Sequence, residues 1–480
     1  MNNSRWLSLI VLCAGFLLIV VDATIVNVAL PSIQRDLGFT QAGLAWVVNG
    51  YLISYAGLLL LAGRIGDLVG RKRVYLAGLV LFVAASVFCG LSFSQGVLVA
   101  ARFVQGVGGA ISSAVVLGMI VNMFPDPADR ARAMGIFAFV ASAGGAIGLL
   151  AGGLITQVIS WHWIFFVNLP IGAATILLAW RLLDSDEGIG LSQGADVVGA
   201  VTVTAALMLG VYAIVESDSY GLGSVRTLAV GGVSILLLGA FLLRQARVRN
   251  PILPLSLLRG RNLAAANVIQ SLMVAAFFGF FFLGALDLQR VLGYGPMAIG
   301  LAFMPTTVTM GLFSVRFTAP LIMRFGSRAV LLAGLTLIAT GMMWLWRSPM
   351  ASDYLLDLLP AIAVLGLGGG LAFTSLTMIA MSDTTPADSG VVSGLLNTTT
   401  QMGAALGLAV LATISAAETG GLVAKGQSLQ AALSGGYHLA WGIGAGLTLV
   451  ALGVAAIVIR TNRAPAQPCP EAAEVERACA

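Results

Sequence analysis

The stretch "VYLAGLVL" (Val74–Leu81) returns 256 residues later as "VLLAGLTL" (Val330–Leu337). Two further pairs keep the same order: "QRDLGF" (Gln34–Phe39) with "QRVLGY" (Gln289–Tyr294), and "GLAWV" (Gly43–Val47) with "GLAFM" (Gly300–Met304), at offsets of 255 and 257. Three ordered matches spanning one pair of helix connections describe an internal duplication.

The composition names the solvent. Of 480 residues, 59% are hydrophobic and 9% charged, whereas a soluble domain has about a quarter of its residues charged. Such a chain cannot cover a water-facing surface, and apolar runs of membrane-spanning length recur along it. Reading these runs between Gly, Pro and charged breaks predicts fourteen transmembrane helices, from 6–30 to 437–460. The repeat shift corresponds to eight helices, an even number, so the halves are parallel repeats. The expectation is an all-α integral membrane protein with two six-helix lobes and two inserted helices. The divisions are 1–181 for the first lobe, 182–262 for the two linker helices and their loops, 263–460 for the second lobe, and 461–480 for a polar cytoplasmic tail. The first run lacks a small-x-small cleavage site and is read as a retained span, not a signal peptide.

Orientation follows from the basic residues. Eighteen of the 25 Lys and Arg fall in one set of connecting segments and five in the other, and the rule that positive loops stay inside places both termini in the cytoplasm. The net charge of +5 does not point to nucleic acid, since no basic run is interleaved with aromatics. Cys13, Cys89, Cys469 and Cys479 have no metal-binding or disulfide spacing, and the two histidines, His162 and His438, are far apart in sequence. No cofactor or metal is expected. With no HExxH or Walker loop in the chain and no acid cluster beside a histidine, an enzyme is not expected either.

The connection after the second helix reads "GRIGDLVGRKR" (Gly63–Arg73). One acid among four bases in a short turn can dock on a neighbouring helix end and form charge pairs that break when lobes move, or it can simply be a solvated topogenic loop. The spacing resembles the G-x-x-x-D-x-x-G-R-[RK]-[RK] signature of the major facilitator superfamily. "VDATIVNVALP" (Val21–Pro31) resembles the helix 1 signature of its fourteen-span drug:proton antiporters. "RFVQGVGGA" (Arg102–Ala110) resembles the helix 4 signature and "GLLAGG" (Gly148–Gly153) the helix 5 antiporter signature. "WHWIFFVNLPIG" (Trp161–Gly172) and "NPILPLSLLR" (Asn250–Arg259) are similar to further marks of that group. Two positions depart from the pattern: Leu149 stands where the helix 5 signature has proline, and His162 where the W-R-W motif has arginine.

The resemblance implies a cytoplasmic gate at Gly63, Asp67, Gly70, Arg71, Lys72 and Arg73, an antiporter helix marked by Gly148, Gly152 and Gly153, and proton coupling at Asp22 and Arg102. Helical rise places Asp22 and Arg102 at about the same depth, 10 to 12 Å from the outer ends of their helices. Each charge alone is costly in hydrocarbon, but paired or facing a wet cavity both are tolerable. A structural ion pair holding the first lobe together is the alternative to a coupling role.

Thr24, Asn27, Gln105, Asn397, Gln401 and Asp287 are the candidate cavity residues, with Asn397 and Gln401 one turn apart on one face. Trp46, Tyr51 and Phe281 are candidate aromatics for a flat lipophilic substrate. The repeat alignment matches Asp287 to Ser32 and puts it at the interface, and Phe277 stands where a second Asp22 would be, so coupling is expected in the first lobe only. Arg316 is expected to snorkel to the cytoplasmic side. The functional expectation is a monomeric, proton-coupled antiporter in the cell membrane. It would export amphipathic drugs, dyes or antibiotics, probing a lipophilic, in some cases cationic, substrate class from the bilayer. Export of a native metabolite, an amino acid or a self-made antibiotic, is the other reading.

Overall fold

A computed structural model describes residues 2–459, apart from 185–187, 189, 191–195, 222, 249–250, 254, 256–259, 350–352 and 383–388. The tail expected at 461–480 and most of the "NPILPLSLLR" segment lie outside the described residues. Among those described, regular structure is entirely helical.

The first group of helices is α1 (Asn2–Leu37), α2 (Gln41–Val69), α3 (Arg71–Gly90), α4 (Gln95–Met123), α5 (Pro127–Val158), a single turn α6 (Trp163–Phe166) and α7 (Asn168–Leu182). Next come α8 (Val197–Tyr220) and α9 (Val225–Arg247). The last group is α10 (Arg261–Arg290), α11 (Pro296–Leu312), α12 (Thr318–Phe325), α13 (Ser327–Trp346), α14 (Leu359–Met381), α15 (Ser389–Ala424) and α16 (Leu429–Val458). A π-helical turn, Phe313–Phe317, joins α11 to α12, and another, Tyr354–Leu358, leads into α14.

Twelve helices among the described residues are long and apolar enough to cross a bilayer. Two shorter apolar stretches, Ala143–Val158 and Pro296–Leu312, fall where the sequence predicts further spans. Polar side chains start several helices: Thr40, Ser94, Asp196, Ser224 and Ser428 each accept a hydrogen bond from a backbone N–H in the first turn. Each supplies an acceptor that the opening turn lacks.

The repeat read from sequence reappears in the backbone. Gly70 ends α2 and opens α3 at φ +107°, and Gly326, 256 residues later, joins α12 to α13 at φ +84°. A side chain is disfavoured in that left-handed region, so glycine occupies both corners. Close helix contacts repeat as well. A Cβ on Gly78 of α3 would lie 2.9 Å from the Gly108 carbonyl of α4, and one on Gly334 of α13 would lie 2.8 Å from the Gly368 carbonyl of α14. Backbones meet directly at these crossings because both partners lack side chains.

The two groups touch through α2 with α15 and through α5 with α11. Near the end opposite the start of α1, Gln41 Nε2 donates to Ser415 Oγ at 3.0 Å and the Met297 N–H donates to Gln157 Oε1 at 3.1 Å. At the same end Gly153 faces the Pro296 carbonyl, and Gly300 faces the Leu149 carbonyl. Among the described residues, the side-chain hydrogen bonds that join the two groups lie at this end, which is therefore closed. The α8–α9 pair packs beside the α2–α15 seam, where Gly57 of α2 meets Thr204 and Thr413 of α15 donates to the Ile214 carbonyl.

Candidate functional site: a buried acid and arginine on α1 and α4

Asp22 and Arg102 are joined. Arg102 Nη1 donates to Asp22 Oδ2 at 2.6 Å, and the two side chains are 0% and 1% exposed. Two more donors reach the other carboxylate oxygen: Gln105 Nε2 at 2.8 Å and Asn168 Nδ2 at 2.9 Å. Both donors also bond Ser86 Oγ, at 2.6 and 3.2 Å, and Arg102 Nη1 donates to Gln105 Oε1 at 2.6 Å. Four helices, α1, α3, α4 and α7, thus contribute to one cluster.

Helical spacing places these groups. Arg102 and Gln105 lie three apart on α4 and share a face. Gly106, next on that helix, lets α4 approach α2, where a Cβ would lie 2.4 Å from the Tyr51 carbonyl. The guanidinium turns toward α2, where Nε donates to the Val47 carbonyl at 3.0 Å and the Tyr51 ring lies 4.4 Å beneath it. A cation over an aromatic face is stabilised without water. Buried ion pairs are tolerated when their remaining polar atoms are bonded, and here both Asp22 oxygens and the Nε and Nη1 of Arg102 have partners.

Three of the expected cavity residues, Gln105, Thr24 and Asn27, make hydrogen bonds within the first helix group. Gln105 is 0% exposed and belongs to the Asp22 cluster, because its amide has both a donor and an acceptor to spend between the acid and the arginine. Thr24 is half-buried and bonds back to the Val20 and Val21 carbonyls at the α1–α5 seam, where a Cβ on Gly148 would meet it. Asn27 is buried and bonds the Ala23 carbonyl.

Asp287, expected at the interface, is buried among helices near the end of α10. It is 6% exposed within α10, because that helix runs on to Arg290 and neighbouring helices cover its last turn. Asn397 is exposed on α15, and the bonds from α15 to α10 are made by its neighbours: Thr399 to Asn267 at 2.6 Å and Gln270 to Thr400 at 2.9 Å. Gln401 is half-buried one turn further on. Tyr51 is 1% exposed and serves Arg102, while Phe281 packs against Phe280 and Phe303. Trp46 is half-buried, and Phe277 packs on Phe373. Arg316 is exposed in the π-helical turn.

In the loop between α2 and α3, Arg71 donates twice to Asp67 Oδ1, at 2.9 and 3.1 Å, and once to the Gly118 carbonyl of α4 at 3.1 Å. Lys72 caps the end of α7 through the Trp180 carbonyl at 2.9 Å and the Leu183 carbonyl. A cation at a helix C-terminus meets the negative end of the dipole. Arg73 is exposed, and at Gly63 a Cβ would make only ordinary contact with Ala114. On α5, Gly148 and Gly152 face α1, whereas Gly153 faces α11.

His162 stacks on Trp161 at 3.8 Å, its Nδ1 pairs with Ser160 Oγ at 2.7 Å, and Trp161 Nε1 donates to Asp36 at 2.8 Å. Burial holds the imidazole below its ordinary 6.5, which favours the neutral ring. Sequence reasoning missed Ser86 and Asn168 as members of the Asp22 cluster. Asn168 lies inside the "WHWIFFVNLPIG" motif, but Ser86 sits in an apolar run with no local signal.

The profile of the Major Facilitator Superfamily matches residues 12–408. The chain belongs to the major facilitator superfamily. It is a membrane transporter and not an enzyme. Within the superfamily it is 35% identical to puromycin resistance protein pur8 of Streptomyces alboniger, over 95% of this chain and 91% of that protein. It is 36% identical to cephamycin export protein CmcT of Amycolatopsis lactamdurans, over 87% and 86% of the two. Multidrug resistance protein Stp of Mycobacterium tuberculosis is 34% identical over 87% of this chain and 77% of its own length. Solved structures share the fold. A POT family transporter, PepTSo, gives a TM-score of 0.69 at 15% identity, covering 94% of this chain and 97% of that one. A bacterial homologue of the lysosomal transporter Spinster, described as inward-facing and unoccupied, gives 0.65 at 17% identity, covering 95% and 97%.

Proposed function

We propose that the protein is a proton-coupled antiporter that exports amphipathic drugs, dyes or antibiotics across the cell membrane by alternating access. The observation that carries this reading is the buried pair of Asp22 and Arg102, whose carboxylate accepts three hydrogen bonds from three different residues. In this reading the protein is a monomer with fourteen spans, two six-helix lobes and both termini in the cytoplasm, and the closed end is the outer one. Coupling requires an acid that binds a proton in one conformation and releases it in another. Protonation of Asp22 removes one partner of the Arg102 guanidinium, which is left with the Val47 carbonyl, Gln105 and the Tyr51 face. Because those contacts join α1, α3, α4 and α7 to α2, the change of charge is felt where α2 meets α15.

The acid load on one side and the substrate on the other then exchange if the two states of Asp22 favour opposite openings. Asp67, Arg71 and Lys72 serve as the cytoplasmic gate, with Gly63, Gly70 and Arg73 completing the loop. Gly148, Gly152 and Gly153 form the α5 seam. Asn27, Asn397 and Gln401 are the polar groups proposed for the cavity, for a lipophilic and in some cases cationic substrate. The test uses inverted vesicles energised to an acidic lumen, with a panel of lipophilic cations and neutral drugs. Substrate-dependent proton release that is lost in Asp22→Asn is the expected result. Proton release unchanged by that substitution would return Asp22 to a purely structural role.

A second reading, export of a self-made antibiotic, is favoured by the names of the puromycin and cephamycin relatives. Competition of such a compound for the proton signal separates it from broad drug export.

A further inference from the structure

The second half of the chain carries an acid that the Asp22 mechanism does not use. Asp287 lies one turn before the end of α10, on an otherwise apolar segment in which Leu283, Leu286 and Leu288 are all buried. Its side chain is 6% exposed. Among the described residues it takes part in no salt bridge and no side-chain hydrogen bond; only its backbone carbonyl is engaged, by the Val291 and Leu292 N–H groups. Asp22, by contrast, has an arginine and two amides.

The surroundings offer an ionised carboxylate little. Tyr437 of α16 is fully buried near Asp287 and Arg290, and it makes no hydrogen bond to Asp287. The basic side chains at this end of the bundle are Arg35, Arg226, Arg290, Arg347 and Lys425, with His162 and His438, and among the described residues none forms a salt bridge with Asp287. His438 instead faces Ser348 and Ser434. Of the acids, Asp36 holds Trp161 Nε1 and Glu418 sits on α15, and neither adds a positive charge.

A largely buried carboxyl group without a paired cation or a hydrogen-bond donor favours taking up a proton and becoming neutral. Among the described residues no group of side chains that could hold a metal ion is present. We propose that Asp287 is a second proton-binding site, loaded in the conformation described here, and that its proton exchanges with the solution at the closed end of the bundle. That side is nearest because Arg290, the last residue of α10, is only three residues on, or about 4.5 Å of helical rise. Asp287 is therefore a gating acid: it must be neutral for the α10–α16 packing to close over it, and it ionises when that packing opens to water. Its proton binds and leaves on one side, so it does not enter the exchange ratio.

Proton occupancy stands on the burial of Asp287 alone, while the gating role rests on the antiport reading. The test is infrared spectroscopy of the purified protein at neutral pH, combined with exchange in inverted vesicles. The carboxylic-acid C=O band is expected in wild type and in Asp22→Asn, to be lost in Asp287→Asn, and to return in Asp287→Glu. Asp287→Asn, which mimics the neutral acid, is expected to keep the wild-type proton-to-substrate ratio while losing the slowing of exchange as the pH on the outer side rises. An unchanged band in Asp287→Asn would overturn proton occupancy. A lost band with an unchanged pH dependence would overturn the gating role. If no compound moves protons in wild type but the band is still lost in the variant, the site stands and only the transport reading fails.

Discussion

Arg102 of α4 and Asp22 of α1, eighty residues apart in sequence, meet at 2.6 Å in a site closed to solvent. Each is also bonded to Gln105, so the pair and the amide form a closed triangle. Removing one partner leaves an uncompensated charge inside the first helix group, which costs about 3–5 kcal/mol for a buried pair. Arg102→Ala should therefore unfold at a much lower temperature than wild type in thermal denaturation of the detergent-solubilised protein. Adding Asp22→Asn to Arg102→Ala should recover part of the loss. A double variant no more stable than Arg102→Ala would mean that the charge of Asp22 is balanced elsewhere.

Asn168 connects α7 to this cluster through two donations, to Asp22 Oδ1 and Ser86 Oγ. Asn168→Leu withdraws both donors from buried acceptors, each loss costing about 1–3 kcal/mol if no water enters. Lower thermal stability is expected together with weaker proton exchange. Ser86→Ala should be milder, since Gln105 and Asn168 keep their bonds to Asp22. Equal effects from the two would contradict the hierarchy of contacts.

Gly300 of α11 sits against the α5 backbone so closely that a Cβ would lie 2.5 Å from the Leu149 carbonyl, and Gly153 is similarly placed against Pro296. Gly300→Val or Gly153→Leu should force the two helix groups apart at the closed end. Spin labels on Met297 and Gln157, which are hydrogen bonded across this seam in wild type, should then report a longer distance. An unchanged distance distribution would show that the seam has room to adapt.

Asp196 joins α8 to α9: it caps α8 through the Gly199 N–H and accepts from Arg244 at 2.7 Å and Gln245 at 2.7 Å. Burial pushes this carboxyl up, but the Gly199 N–H, Arg244 and Gln245 together outweigh it and hold it below an ordinary aspartate's 3.8. With the folded value depressed, the unfolded chain binds more protons in the window below about 3.8. The stabilisation is thus complete above that value and is lost as pH falls through the folded one. Asp196→Ala should cost about 0.5–2 kcal/mol for the cap and flatten this acid-side loss in a series of unfolding temperatures. A variant with the same acid sensitivity as wild type would place that sensitivity on other carboxylates.

Much of the architecture follows from the chain alone. The 256-residue repeat, the apolar run lengths and the scarcity of charge specify a helical membrane protein, since lipid leaves the backbone no other hydrogen-bond partner than itself. The corners at Gly70 and Gly326 belong to the same category, because a left-handed backbone is a local property of one residue. Asp22 and Arg102 were also readable as partners, since a charge inside an apolar run demands an explanation wherever it occurs. What only the tertiary structure decided is which polar groups converge. Gln105 looked like a cavity residue because an amide is compatible with either fate, and Ser86 carried no signal because one hydroxyl in a helix can always bond its own backbone. Asp287 depended on packing most of all: its distance from the end of the helix suggested an interface, yet the burial of a side chain is set by the neighbouring helices, and linear spacing does not encode where they stop.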